Sequence, residues 1–331
     1  MRRIVGLVLI AIGTALVGLA VALPNYAYPR ITSLPDDPNS TIGARGEGVT
    51  ALKVRSAKIE PVTDTVYVTR YVTKDPLTED RPKPPGEVTQ WRLGFSANLK
   101  TPDGELLTAY LEGYTLDQVS GETSTCCADY VLLDQDAKPV PVRHEGLGLK
   151  FPFDTQQRDY RFWDLQLRRS ETARYVGAET LLGLQTYKFV QEIKDQTVGT
   201  QAFPGSLFGD PAPSVTADEV YSTQRSLWIE PKTGAIIKGS EDVNWRYLFQ
   251  GREVPRTVGT LTYTDETVQA QVDLYKDAAG QLTLLKSTAP LICWILGPLL
   301  VLAGIAMLLL GSGREDELDE DYSEDDESVN A

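Results

Sequence analysis

Two uninterrupted apolar stretches frame the chain, one near each end. They run from Ile4 to Leu23 and from Leu291 to Leu310, and neither contains a charged residue. An α-helix rises about 1.5 Å per residue, so about 20 apolar residues cross the ~30 Å hydrocarbon core of a bilayer. The pattern therefore predicts transmembrane helices at 4–23 and 291–310, with one large domain at 24–289 between them.

The flanks of these stretches predict an orientation. Arg2 and Arg3 precede the first stretch, and positive residues beside a span tend to stay in the cytoplasm. Residues 1–3 are then cytoplasmic, the domain is extracytoplasmic, and 311–331 return to the cytoplasm. An alternative is a cleaved secretory signal ending in Ala20-Val21-Ala22, which places the domain on the same side.

Strand-like patterning dominates the middle of the chain. Val62 to Val72 is rich in β-branched and aromatic residues and partly alternates. Residues 171–193 read as strand, tight turn and strand, with a helix over 178–186 as the alternative that Gly177 and Gly183 weaken. Short turn signals separate further strand-like runs, and these are Asp103-Gly104, Ser120-Gly121, Lys232-Thr233-Gly234 and Ala279-Gly280.

These signals predict a mainly β domain of antiparallel hairpins with a few short helices, and an α+β domain is the alternative. Residues 24–48 are rich in Pro, Gly, Asn and Asp and predict an extended stalk. Two further segments, 74–87 and 199–216, predict long exposed loops.

Charge narrows the choice of partners. The formal net charge is −14, and residues 314–331 hold ten acids against one arginine. Such a tail is too charged to fold alone, so 311–331 is predicted to be disordered. The domain itself is also acidic, which argues against nucleic acid as a partner.

No catalytic set is recognisable. His144 is the only histidine, so a Ser-His-Asp or Cys-His pair would have to use it. A solvent-facing or hydrogen-bonded histidine is the simpler reading, since no nucleophile motif lies nearby. No zinc-ligand spacing and no phosphate-binding glycine motif is present, so neither an enzyme nor a cofactor or metal is expected.

Two local features are unusual. Cys126 and Cys127 are adjacent, and they can close a vicinal disulfide that stiffens a turn or remain as two thiols. Five aromatic residues lie within 13 positions, and they predict either a core cluster or the wall of an apolar ligand cavity. These are Phe151, Phe153, Tyr160, Phe162 and Trp163.

The chain resembles an actinobacterial membrane-protein family labelled porin PorA. The resemblance spans nearly the whole chain and rests on the terminal spans and four motifs. The motifs are LDQVSGET at 116–123 with the nearby cysteine pair, KFPFDTQQRDYRFWD at 150–164, ETLLGLQTYKF at 179–189 and WIEPKTGAIIKG at 228–239. The family label implies a pore, yet the domain lacks the series of ~10-residue lipid-facing strands that a transmembrane barrel needs.

The two-span architecture is similar to that of class B scavenger receptors, and GAETLLGLQTYKF resembles hairpins of half-barrel envelope lipid carriers. These resemblances imply a non-enzymatic envelope protein whose domain binds or transfers an apolar ligand, with membrane lipid as the expected partner. The alternatives are a porin or channel component, and a structural or signalling anchor that contacts another envelope protein.

Overall fold

A computed structural model describes residues 2–55, 58–78, 87–133 and 138–312. The chain forms two compact units: the described residues of Met1–Thr32 and Gly280–Ala331 form one, and Ser33–Ala279 form the other. Residues 79–86 of the predicted loop at 74–87, and the predicted acidic tail beyond residue 312, lie outside the described residues.

Helices occupy both ends of the chain. They are α1 (Arg2–Ala22), α2 (Tyr28–Ile31), α3 (Asp265–Thr283) and α4 (Ala289–Ser312), with π-helical turns at Leu23–Ala27 and Leu284–Thr288. Two helical segments, Arg2–Ile31 and Asp265–Leu310, are long and apolar enough to cross a membrane. A mainly β fold flanked by two such helices is therefore confirmed.

The predicted stalk at 24–48 is wrong at its start. The helix continues through Pro24 to Ile31. The side-chain amide of Asn25 donates to the Val21 carbonyl at 2.8 Å, which satisfies one of the acceptors near the end of α1. An extended segment follows, and the first strand already begins at Ser40.

Glycines line the contact between α1 and α4. A Cβ atom at Gly13 would lie 2.6 Å from the carbonyl oxygen of Gly297, and one at Gly6 would lie 2.9 Å from that of Gly304. Small residues let transmembrane helices approach closely, because lipid supplies no hydrophobic drive between them. The seven-residue spacing on both helices keeps the glycines on one seam.

We expect Gly13→Leu to separate this helix pair, because the added side chain meets backbone and cannot be accommodated. Overpacking of this kind costs about 1–3 kcal/mol. Gly18→Leu is the matched control, since nothing lies within 4 Å of a Cβ at Gly18. Thermal unfolding of the full chain in detergent should show a lower midpoint for Gly13→Leu only, and equal midpoints would contradict the packing described.

The second unit is built on one antiparallel sheet. Its twelve strands are β1 (Ser40–Arg55), β2 (Lys58–Lys74), β3 (Val88–Leu99), β4 (Leu106–Asp117), β5 (Tyr130–Leu132), β6 (Val140–Pro141), β7 (Tyr160–Asp164), β8 (Arg169–Leu181), β9 (Leu184–Phe203), β10 (Val215–Ile229), β11 (Ile236–Phe249) and β12 (Arg252–Tyr263). Their order is β6-β5-β4-β3-β2-β1-β12-β11-β10-β9-β8-β7. Because β6 and β7 are not paired with each other, the sheet is open and is not a closed barrel.

Several predicted hairpins are confirmed. Asp103-Gly104 lies in the turn between β3 and β4, and Lys232-Thr233-Gly234 lies between β10 and β11. The hairpin at 171–193 is β8 and β9, joined by Leu182 and Gly183. Both turn residues have positive φ angles of 48° and 80°, as a two-residue hairpin turn requires, so the alternative helix at 178–186 is wrong.

At two of the predicted hairpin turns the structure differs from the prediction. The segment around Ala279-Gly280 is helix α3, whose buried Val268 and Val272 are four residues apart and pack on Ile237. Spacing of four places side chains on one helix face, and the turn signal at Ala279-Gly280 obscured it. Ser120-Gly121 does turn the chain, but only an isolated bridge from Leu116 to Thr123 follows it, and the next strand begins at Tyr130.

Candidate functional site

One face of the sheet encloses a cavity of about 800 Å³. Val131 of β5 and Phe162 of β7, from near the two ends of the sheet, both line it. The sheet is therefore curved around this space. Much of the wall is aliphatic and aromatic, and representative side chains are Val66, Val68, Phe95, Leu107, Leu227 and Leu261.

A buried ionic network interrupts this apolar wall at Arg225 on β10. The guanidinium donates to Glu241 at 2.7 Å, to Asp164 at 3.2 Å and to the amide oxygen of Gln191 at 2.7 Å. The hydroxyl of Tyr221 also donates to Asp164 at 3.0 Å. One cation, two carboxylates and the amide of Gln191 thus join strands β7, β9, β10 and β11.

Attraction between its oppositely charged side chains, rather than contact with solvent, keeps this network ionised. Burial alone would lower the pKa of Arg225, but Glu241, Tyr221 and Asp164 outweigh it and hold that pKa well above its ordinary value. Burial likewise opposes ionisation of Glu241, yet Arg225 and Arg70 keep its pKa below the usual range. Removing one partner would leave uncompensated charge in a low-dielectric site.

Arg70 on β2 is the second cation of the wall, and it is bonded differently. Its guanidinium lies 3.9 Å from the nearest oxygen of Glu241, which is beyond hydrogen-bond distance. It also lies over the ring of Phe95, 5.6 Å from the centroid. Tyr110 and Tyr263 are close enough that each acts on its pKa.

His144 forms a second buried cluster next to the cavity wall. Its Nε2 lies 2.9 Å from Glu112 and its Nδ1 lies 2.7 Å from Asp129. The ring stacks on Tyr114 at 4.0 Å between centroids, and the indole N–H of Trp163 donates to Glu112 at 2.9 Å. Both ring nitrogens face carboxylates, an arrangement that is satisfied when both carry protons.

This geometry settles the role left open for the only histidine. Burial alone would lower the pKa of His144, but the hydrogen bonds to Asp129 and Glu112 outweigh it and raise that pKa. The side chain is fully buried. His144 is a hydrogen-bonded structural residue that joins β4 to the segments after it.

Cys126 and Cys127 are joined in a disulfide, and Cys127 lies two positions before Asp129. The backbone carbonyl of Cys127 accepts from Gln90 at 3.4 Å, and the hydroxyl of Thr115 donates to Asp129 at 2.7 Å. The cysteine pair therefore lies in the turn that brings Asp129 to His144.

The predicted aromatic cluster divides between two core regions. Phe151, Tyr160 and Phe162 pack together with Phe189. Phe153 and Trp163 belong to a separate cluster that contains Trp91 and Tyr114. Of the five predicted ligand-binding residues, Phe162 and Trp163 line the cavity, and the other three are core or partly buried residues; ligand binding by any of them stays a prediction.

Sequence reasoning missed the charged residues of the wall. Arg70, Glu112, Arg225 and Glu241 lie inside strands whose neighbours give no catalytic or binding motif. The one available signal was a charged residue at an inward position of an otherwise apolar strand, as in TAYLEGYTLD around Glu112. Arg225 and Asp164 are 61 residues apart, so only the fold brings them together.

Ion pairs at least partly exposed to solvent lie on several strands of this sheet. Arg174 of β8 and Glu192 of β9 form one, with 59% and 46% of their side chains exposed. Asp195 of β9, 55% exposed, forms an ion pair at 2.5 Å with Arg246 of β11, which is 13% exposed. Charged side chains on a lipid-facing strand are destabilising, so these strands suit an aqueous surface rather than the interior of a bilayer.

The structure combines two candidate membrane spans with an open β-sheet that lines a cavity. Residues 5–306 match the family described as Porin PorA, and the chain belongs to that family, as its motifs indicated. A "Porin PorA" of Corynebacterium resistens is 24% identical over 94% of this chain and 96% of its own. One of Corynebacterium amycolatum is 24% identical over 94% and 98%. The chain is accordingly a cell-envelope membrane protein with two candidate spans.

Proposed function

We propose that the β-sheet unit binds an apolar ligand, a membrane lipid, in the cavity enclosed by its curved sheet. The cavity carries this proposal: at about 800 Å³ it falls within the ~300–1,000 Å³ of ordinary ligand sites. Its wall combines aliphatic and aromatic side chains with a few fixed polar groups, as such sites do. The absence of a recognisable catalytic motif in the sequence also favours binding over catalysis.

The proposal includes an orientation. Arg2 and Arg3 before the first span favour a cytoplasmic N-terminus. With two spans, the C-terminus is then cytoplasmic as well, and the sheet lies outside the cytoplasm. A chain anchored at both ends stays close to its lipid source, which favours a ligand drawn from the bilayer.

A channel is the second candidate, and the names of the two relatives favour it. The open sheet and its exposed ion pairs oppose a pore made of strands. A channel would therefore use the helices of several copies. Conductance of the purified full chain in planar bilayers, with no lipid bound in the sheet, would favour this candidate over the first.

Ala97→Trp should reduce lipid binding. Ala97 lines the cavity and lies opposite Val68, another lining residue, so an indole there occupies ligand space. An overpacking cost of about 1–3 kcal/mol corresponds to a roughly tenfold loss in affinity for the lipid. The measurement is photo-crosslinking of the full chain in nanodiscs by a photoactivatable lipid, with the labelled peptides of residues 33–279 identified by mass spectrometry.

Ala178→Trp is the matched control, because Ala178 is an exposed strand residue that does not line the cavity. It should keep the labelling of the unaltered chain. Equal labelling of both variants, or labelling confined to the two helical spans, would argue that the cavity holds no lipid.

A further inference from the structure

Arg70 differs from the other buried or half-buried cations of the cavity wall. Arg225 donates to Glu241 and Asp164, and Arg256 donates to Glu219. Arg70 makes no hydrogen bond with any of the described residues, although 34% of its side chain is accessible. Its donors therefore face the cavity space with no hydrogen-bond acceptor among the described residues.

The phenol side chains of Tyr110 and Tyr263 lie near Arg70. Tyr110 on β4 stacks on Phe95 with ring centroids 4.7 Å apart, and Arg70 lies over the same Phe95 ring. Tyr263 on β12 approaches from the other side of β1. Among the described residues neither hydroxyl has a hydrogen-bond partner, so three side chains from β2, β4 and β12 offer free donors to one region.

The neighbouring acids do not satisfy these donors. Glu241 directs one oxygen to Arg225 at 2.7 Å and leaves the other 3.9 Å from Arg70. Asp164 and Glu112 are held by Arg225 and His144. Asp164 and Glu241 are thus both bonded to Arg225. The positive charge of Arg70 is therefore less compensated than that of Arg225.

We propose that Arg70, with the hydroxyls of Tyr110 and Tyr263, binds the anionic oxygen head group of an amphipathic ligand whose apolar chain fills the cavity. This inference rests on the proposed function and specifies its ligand. A planar guanidinium pairs well with carboxylate or phosphate oxygens. The adjoining apolar wall, with Val68 and Leu93 among its residues, accounts for the chain.

The test compares two photoactivatable probes of equal chain length, hexadecanoic acid and hexadecanol. Each is incubated at pH 8 with the full chain in nanodiscs of a zwitterionic lipid, and labelling of residues 33–279 is measured by mass spectrometry. The unaltered chain should label with the acid at least about tenfold more than with the alcohol, since charge-assisted hydrogen bonds have that strength.

Arg70→Gln should lower acid labelling to the level of the alcohol and leave alcohol labelling unchanged, which also shows that the variant folds. Arg174→Gln, at an exposed ion pair, should behave like the unaltered chain. Tyr110→Phe and Tyr263→Phe should each lower acid labelling by a smaller factor. An excess of acetate or inorganic phosphate should not displace the probe.

Three results would overturn the inference in distinguishable ways. Equal labelling of the unaltered chain by acid and alcohol would remove the head-group site while the cavity proposal stands. Equal loss of both probes in Arg70→Gln would make Arg70 a packing residue. Displacement by acetate or phosphate would assign the site to a free anion. Labelling by neither probe would instead defeat the proposed function itself.

Discussion

Arg225→Leu is expected to destabilise the sheet unit by about 3–5 kcal/mol, because it leaves Asp164 and Glu241 as buried charges without their main cation. The side chains of Asp164 and Glu241 are only 1% and 17% exposed, so water cannot replace the lost donors. Urea unfolding of the full chain in detergent, followed by near-ultraviolet circular dichroism, measures the change.

Arg174→Leu provides the comparison, because the ion pair of Arg174 with Glu192 is exposed and such pairs contribute about 0–1 kcal/mol. Combining Arg225→Leu with Asp164→Asn and Glu241→Gln should recover much of the loss, since the two carboxylates that lose Arg225 are then neutral. If Arg225→Leu and Arg174→Leu cost the same, the network is solvated and does not act as described.

His144 is expected to make stability fall as the pH rises above neutrality. The pKa of His144 is raised in the fold by Asp129 and Glu112, despite burial. The stability that its charge contributes is therefore complete below the unfolded pKa of about 6.5 and is lost as the pH rises through the folded pKa. His144→Gln should cost about 3–5 kcal/mol below that pH, because two buried carboxylates lose their charged partner.

The measurement is the free energy of unfolding of the unaltered chain and of His144→Gln between pH 6 and pH 9. The difference between the two chains should shrink as the pH rises. The slope of one chain alone is not sufficient, because burial lowers the pKa of Lys150 to about 7, and this amine contributes the opposite slope. A difference that is constant with pH would contradict a charged His144.

The fold was predictable where one local signal determines the structure. Apolar length predicts the spans, and turn residues such as Lys232-Thr233-Gly234 predict hairpins. The same turn signal failed at Ala279-Gly280, because Val268 and Val272 pack a helix face against Ile237, a contact with a distant strand. Tertiary packing overrides a weak local preference in such segments.

The cavity wall was less predictable than the fold. The aromatic-rich segment at 151–163 predicts Phe162 and Trp163 as wall residues, and both line the cavity. Arg70 and Arg225 were not, because a charged residue within a strand usually faces water. Their inward positions depend on strand register and sheet curvature, and neither is encoded in the residues beside them.

The pairing of β1 with β12 dictates an order of assembly. Ala44 lies opposite Tyr263, whereas every other pairing among the described strands joins neighbours along the chain. During synthesis β2 to β6 can pair progressively onto β1, yet the other edge of β1 stays open until the final strand exists. An unpaired edge is a template for aggregation. The sheet is thus completed at its centre, and until then the half-made chain carries an unpaired edge at β1.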